Sequence, residues 1–279
     1  MKYIKNQTFD SERALYESCD LTVFECRFCG VADGESALKE SNNIAAEKCY
    51  FNLRYPFWHA RGVTVTECEM TEKCRAPLWY SSDVKILNSV INGTKAIREC
   101  IRVIIGDTKI VSDELGWDTH NINVENSEIK SQYAFMRSRN ITLENVKLTG
   151  KYSLQYIENA KIANCDLNTK DSLWHAKNVT VKNSVIKGEY LGWYSENVTF
   201  ENCVIIGTQP LCYCENLKLI NCQMMGCDLA FEKSTVNAEI TTPVISIKNV
   251  LSGKITVPCV DEIIVQDERY KGEIIQTDT

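Results

Sequence analysis

The sequence has no apolar run that approaches the length of a membrane span, and its opening, MKYIKNQTFDSERALYE, has none long enough for a secretory leader. These absences make a cytoplasmic protein with no membrane partner the expectation. Basic runs are missing too. A formal net charge of -6 with the two signs interspersed leaves nucleic acid without electrostatic support as a partner. No Pro/Gly/Ser-rich linker interrupts the chain, so one domain covering 1–279 is expected despite a length of 279 residues. Helical periodicity is absent throughout, which excludes folds that place helices between strands.

What the chain does have is a repeat. Segments such as NITLENVKLTG from Asn140, NVTVKNSVIKG from Asn178, NVTFENCVIIG from Asn197 and NLKLINCQMMG from Asn216 superpose at a step of nineteen residues. Strand starts fall at Leu21, Ile44, Val63, Val84, Val103, Ile122, Ile141, Ala160, Val179, Val198, Leu217 and Val236. Within a unit the first and third positions are aliphatic and their neighbours polar, as in Val84 and Ile86 or Val179 and Val181. That alternation is a half-buried strand. The sixth and eighth positions repeat it as small then aliphatic, as in Ser127 and Ile129 or Cys203 and Ile205.

Corner residues form columns of their own. Asp20, Asn43, Gly62, Asp83, Asn121, Asn140, Asn159, Asn178, Asn197 and Asn216 stand just before a strand, and Asn88, Asp107, Asn126, Asn145, Asn164, Asn183, Asn202 and Asn221 occupy the fifth position. These residue types tolerate left-handed backbone geometry, and stacked amides can hydrogen-bond from turn to turn. Glycines such as Gly93, Gly150, Gly188 and Gly207 mark a third bend. Three bends in nineteen residues describe an all-β, right-handed, three-sided parallel β-helix of about eleven or twelve coils. The expected division is an N-terminal cap over 1–20, coils over 21–238 and a closing segment over 239–279, since open sheet ends invite edge-to-edge association.

Six of the fourteen cysteines are placed as the repeat dictates. Cys26, Cys49, Cys68, Cys165, Cys203 and Cys222 share the sixth position with Ser, Thr or Val, which reads as compact, reduced, inward-facing thiols. The pair Cys26 and Cys29 forms a CxxC with no second pair at metal spacing. His59 and His175 are six units apart and His120 lies outside their column, so no metal or other cofactor is expected.

One side departs from this pattern. Five residues before each strand start the chain reads Trp58, Trp79, Arg98, Trp117, Met136, Gln155, Trp174, Trp193, Cys212 and Phe231, a column that holds all five tryptophans. The next column is His59, Tyr80, Glu99, Asp118, Arg137, Tyr156, His175, Tyr194, Tyr213 and Glu232. Alternation buries one of the two, and the pattern leaves open which. Burying the second would put Glu99, Asp118 and Arg137 inside the coil at several kcal/mol each, whereas a bend between the columns turns both outward. The candidate ligand-binding residues are therefore Trp58, His59, Trp79, Tyr80, Glu99, Trp117, Trp174, Trp193 and Tyr194.

A candidate catalytic set follows from the middle of the second column: Asp118, Arg137, Tyr156 and His175. Glu99 beside Asp118 would raise one carboxyl pKa and make a general acid; Arg137 would neutralise a substrate carboxylate; Tyr156 or His175 would exchange protons. The plain alternative is an Asp118–Arg137 ion pair on a solvated face. Gly116 and Gly192, each just before a tryptophan, either open the backbone to a ligand or make room for neighbouring rings.

The run YPFWHARGVTV, the GWD and GWY triplets and the segments KDSLWHAKNVTVKNSVIKGEYLGWYSENVTF and GTQPLCYCENLKLINC resemble a bacterial family catalogued as domain of unknown function 3737, and the likeness covers essentially the whole chain. It implies a right-handed parallel β-helix and brings no activity and no catalytic residues with it. Two function classes remain open. An aromatic column on a rigid face suits a carbohydrate-binding or carbohydrate-processing protein with an oligosaccharide or sugar ligand. It equally suits a scaffold solenoid that binds a protein or itself as a homo-oligomer, without catalysis. A third reading makes the aromatic ladder a matter of stability alone.

Overall fold

The computed structural model describes residues 2–30 and 35–277. Met1, Asp278 and Thr279, which belong to the expected terminal segments, lie outside them. The chain divides into two compact units, Met1–Asn140 and Ile141–Thr279. Both are built from the same element, a turn of parallel β-solenoid of about nineteen residues, and the fold comprises about 14 such turns with no helix among the described residues.

In the first unit Ser82–Leu87 pairs in parallel with Arg61–Thr66 on one side and Ile101–Gly106 on the other, so that Val84 faces Val63 and Val103. A second sheet stacks Val90–Ile91 between Glu69–Met70 and Lys109–Val111. A third contact is brief: Leu78–Trp79 with Ile97–Arg98, and Glu114–Leu115 with Tyr133–Ala134. The second unit repeats the first two sheets, with Val179 facing Ala160 and Val198 and with Ile186 facing Leu167 and Ile205. The aliphatic first and third positions are buried and their polar neighbours are not, because one sheet face looks into the coil and the other into water.

The turn count exceeds the expected eleven or twelve because the terminal segments also wind. Lys2–Lys5 pairs with Cys19–Phe24, and Thr8–Phe9 with Arg27–Phe28. Ser252–Val257 pairs with Thr235–Ile240, and Glu273–Gln276 with Ser252–Val257. These turns escape the pattern for identifiable reasons. Lys2 occupies the first inward position opposite Leu21, and Gly253 faces Val236 after only seventeen residues.

The corner before each inner strand and the corner at the fifth position are αL residues, and most are not glycine. Asn121 has φ 59°, Asn178 55°, Asn88 48° and Asn183 48°. Asn is among the few residues that take this conformation cheaply, through local hydrogen bonds. The amides then bond along the stack: Asn216 Nδ2 to Asn197 Oδ1 at 2.8 Å, Asn197 to Asn178 at 3.1 Å and Asn178 to Asn159 at 3.2 Å. A second ladder joins Asn221 to Asn202 at 2.7 Å and Asn202 to Asn183 at 3.3 Å. In the first unit Asn140 donates to Asn121 at 2.9 Å.

The small column inside these corners does more than fill space. The Cys49 amide donates to Cys68 Sγ at 3.2 Å, the Cys68 amide to Ser89 Oγ at 3.1 Å and the Cys165 amide to Ser184 Oγ at 3.0 Å. Each thiol or hydroxyl also reaches a carbonyl, as Cys203 Sγ does toward Val181 O at 3.4 Å. An αL corner turns the following amide away from the strand ladder, and a Cys, Ser or Thr one turn on supplies its acceptor. That shared requirement explains why the three residue types interchange.

Candidate functional site

Both outlying columns face outward. His59, Tyr80, Glu99 and Arg137 are exposed, as are Tyr156, His175 and Tyr194, while Trp58, Trp79, Trp117, Trp174 and Trp193 are half-buried. The cause is a third αL corner at the polar column itself, with φ 57° at His59, 51° at Asp118, 53° at His175 and 59° at Tyr194. The corner breaks the alternation, so two successive side chains leave the coil and the residue after them turns in: Ala60, Ser81, Cys100, Thr119 and Ser138 are all buried.

The indoles are pinned. Trp79 Nε1 donates to Lys95 O at 2.7 Å, Trp117 to Tyr133 O at 2.8 Å, Trp174 to Tyr190 O at 2.6 Å and Trp193 to Gln209 O at 2.7 Å. Each bond runs sixteen residues forward and clamps one turn to the next.

In the first unit the half-buried column is a cation–π stack. The Arg98 guanidinium lies 5.1 Å from the Trp79 ring and 5.5 Å from Trp117, and Arg137 lies 5.4 Å from Trp117. His59 and Tyr80 stack at 4.9 Å. Arg137 grips Asp118 through two bonds, Nε to Oδ1 at 2.8 Å and Nη2 to Oδ2 at 2.7 Å, and this contact holds the guanidinium pKa above its ordinary value. Glu99 lies 3.5 Å from Arg98 Nε. Each carboxylate therefore stands against its own guanidinium.

In the second unit four rings form one stack. Tyr156 and His175 are 4.9 Å apart, His175 and Tyr194 5.1 Å, and Tyr194 and Tyr213 4.8 Å, with planes within 8° to 11° of one another. Tyr213 OH donates toward Glu232 at 3.5 Å, and Glu232 pairs with Lys248 at 3.1 Å; burial and the Glu232 carboxylate push the Tyr213 phenol up. Trp174 and Trp193 stack beside them at 5.5 Å and 6°. The faces of His175 and Tyr194 are covered on both sides, so what these rungs offer outward is their edges.

The structure thus joins Asp118 to Arg137 in one unit and Tyr156 to His175 in the other. Gly116 and Gly192 make room for packing. A Cβ on Gly116 would stand 2.6 Å from the Phe135 ring, and one on Gly192 would stand 2.9 Å from Leu211 Cδ2. The last rungs shift by one residue from the expected columns. Phe231 is fully buried, Glu232 takes the tryptophan-column place, accepting the Tyr213 amide bond through its carbonyl, and Lys233 takes the αL corner at φ 53°. The polar column also begins earlier than the sequence suggested, with Glu17 at φ 52° and Glu40 at φ 59°. A longer step between these two coils hides them. Tyr16 OH donates to Glu40 Oε2 at 2.9 Å there.

These features define a parallel β-solenoid that carries an aromatic and charged wall at a left-handed corner. The chain belongs to the family described as Protein of unknown function (DUF3737), whose model matches residues 2–277. No curated protein matches it. Among solved structures it is similar to PfbA, a surface adhesin of Streptococcus pneumoniae, with 10% identity over 91% of this chain and 82% of that one and a TM-score of 0.41. It is similar to the A-module of the mannuronan C-5 epimerase AlgE6 of Azotobacter vinelandii, at 10% identity, 99% and 90% coverage and a TM-score of 0.36. A third is the catalytic domain of a GH87 α-1,3-glucanase in complex with tetrasaccharides, at 12% identity, 99% and 58% coverage and a TM-score of 0.30. Likenesses this distant carry no argument about function.

Proposed function

We propose that this protein is a carbohydrate-binding β-solenoid whose ligand contacts are the outward edges of the polar column. The observation that carries the reading is the Tyr156–His175–Tyr194–Tyr213 stack, in which rings recur at 4.8–5.1 Å and Tyr156 and Tyr194 are 51% and 48% exposed. Hydroxyls and ring nitrogens at every turn form a rigid row of donors and acceptors, suited to an extended, hydroxyl-rich chain. Because the interior ring faces are already covered, recognition runs through hydrogen bonds at ring edges and not through stacking on sugar faces. Trp174 and Trp193 buttress the row. In the first unit His59, Tyr80 and Glu99 play the same part, supported by Trp58, Trp79 and Trp117. Asp118 and Arg137 act as a rung of the wall, since both carboxylate oxygens are engaged, and no reaction forms part of the proposal.

A glycan array followed by tryptophan fluorescence titration tests it. Tyr156→Phe with Tyr194→Phe keeps the stack and removes only two hydroxyls; binding of the selected glycan should fall at least tenfold. Unchanged affinity in this variant would defeat the edge-contact reading. A second reading, a scaffold that binds protein, draws on the same exposed Tyr and Arg side chains, the types that anchor interfaces. An empty glycan array together with concentration-dependent self-association in sedimentation would favour it. We also propose a reducing, cytoplasmic setting, which the fourteen free thiols support.

A further inference from the structure

The row of rings in the second unit has a fixed period. Tyr156, His175, Tyr194 and Tyr213 follow one another at 4.9, 5.1 and 4.8 Å, with planes within 8° to 11°. Each stands at an αL corner, with φ between 53° and 61°, and the turns are held at the spacing of parallel strands. In the first unit this column stacks His59 on Tyr80 at 4.9 Å and then continues as Glu99, Asp118 and Arg137, so the four-ring run belongs to the second unit. A rigid row can bind a polymer rung by rung only if the polymer repeats at the same distance; otherwise the contacts drift out of step within a few residues. A pyranose chain linked through equatorial oxygens at both ends of each ring, as in a β-1,4-linked hexosan, is a straight ribbon. It advances per residue by one ring and one bridging oxygen, which is close to the length of one turn. A chain with an axial linkage coils or shortens its advance. Successive residues of the ribbon are also flipped by half a turn, so the same edge returns at every second residue. The two most exposed phenols of the row, Tyr156 at 51% and Tyr194 at 48%, likewise stand two turns apart.

Charge selects within this geometry. The row itself carries no carboxylate, lysine or arginine. Of the groups that flank it, Lys177 pairs with Glu196 at 2.9 Å, Lys170 with Glu189 at 2.8 Å and Lys248 with Glu232 at 3.1 Å. Glu158 and Glu215 extend the Lys177–Glu196 column on either side and offset the two further amines, Lys151 and Lys233. The buried Asp171 adds one more carboxyl. No amine is in excess, so a chain of sugar acids would give up hydration of its carboxylates without gaining a cation to neutralise them.

We infer that the second-unit row binds a neutral, extended β-1,4-linked hexosan laid along the stack, one sugar residue to each turn. The assignment rests on the glycan reading of the wall and narrows it to one substrate class. Each phenol or imidazole edge offers hydrogen bonds to the hydroxyls of the residue beside it, and the four rungs make four subsites.

Calorimetric titration of the full chain with cellohexaose, β-1,4-mannohexaose, maltohexaose and a β-1,4-mannuronate hexamer tests the inference. At least one of the two neutral β-1,4 hexaoses should bind saturably. Maltohexaose, neutral but axially linked, and the mannuronate hexamer, extended but charged, should each bind at least tenfold more weakly than it does. In the series of the preferred sugar, the tetraose should bind at least tenfold more tightly than the disaccharide and within about threefold of the hexaose, because four rungs fill four subsites. If maltohexaose or the mannuronate hexamer matches the better neutral hexaose, or if the tetraose gains nothing over the disaccharide, the wall still binds glycan and this assignment alone is wrong. The same holds if the glycan array yields a ligand of another class while both neutral hexaoses fail to bind. An empty array would defeat the glycan reading of the wall and this assignment together.

Discussion

Gln155 donates its side-chain amide to the carbonyl oxygen of Asp171 at 2.8 Å, sixteen residues ahead, and thereby makes the bond that Trp174 Nε1 makes to Tyr190 at 2.6 Å one turn later. A glutamine and a tryptophan share a column because both carry an N–H at the right reach, which makes the clamp, not aromaticity, the common property.

Removing the clamp should destabilise in proportion to burial. Gln155→Ala leaves a buried carbonyl without its donor and should cost about 1–3 kcal/mol, and Trp174→Phe, at a half-buried site, about 1 kcal/mol. Chemical denaturation measures both. A Gln155→Ala midpoint identical to the parent would contradict the assignment.

Gly116→Ala places a methyl 2.6 Å from the Phe135 ring at φ +71°, where a side chain is already disfavoured by about 1–2 kcal/mol. The combined loss should exceed about 2 kcal/mol, and Phe135→Leu in the same chain should recover part of it. Failure of the second change to help would mean that backbone strain, and not the ring, dominates.

Asp118→Asn breaks a paired but solvent-facing contact, whose worth is about 0–1 kcal/mol. His175→Gln removes two ring stacks of about 0.5–1.5 kcal/mol each. Thermal melts should therefore move by only a few degrees in either variant, with the Asp118→Asn effect shrinking further in high salt. A loss of several kcal/mol would instead place these side chains in a buried network.

Asp171 supplies a pH dependence. Its folded pKa lies above the unfolded value because burial disfavours the anion, so over that window the folded state holds more protons and stability falls as pH rises. Asp171→Asn should melt higher than the parent at neutral pH, with the gap closing as pH drops below the unfolded carboxyl pKa. A gap that is constant with pH would rule out this origin.

Thiol reactivity should follow burial. Cys19 and Cys259 are exposed, whereas Cys165, Cys203 and Cys222 are buried. Burial pushes Cys100 and Cys214 up to about 11 and Cys212 and Cys227 up to about 12, and raises Cys165 as well. Maleimide labelling with mass mapping should find Cys19 and Cys259 modified in the native protein, and the three buried column thiols only on unfolding. Fast labelling of those three would contradict the inward ladder.

The sequence alone determined the coil. Aliphatic alternation at Val84, Ile86, Val179 and Val181 and the recurring corner asparagines are local requirements of a half-buried strand and an αL bend, and a repeat states them many times over. The stacking of Asn178, Asn197 and Asn216 followed from the same step. Tertiary structure alone decided what those columns do. The direction of the Trp174 and His175 side chains depends on one backbone dihedral at His175, φ 53°, which no alternation rule encodes. Whether Gly116 served a ligand or a neighbour depended on Phe135, nineteen residues away and in contact only because the chain winds. The winding of Lys2–Lys5 and Glu273–Gln276 was hidden because end turns need not repeat the inner spacing or bury every inward position.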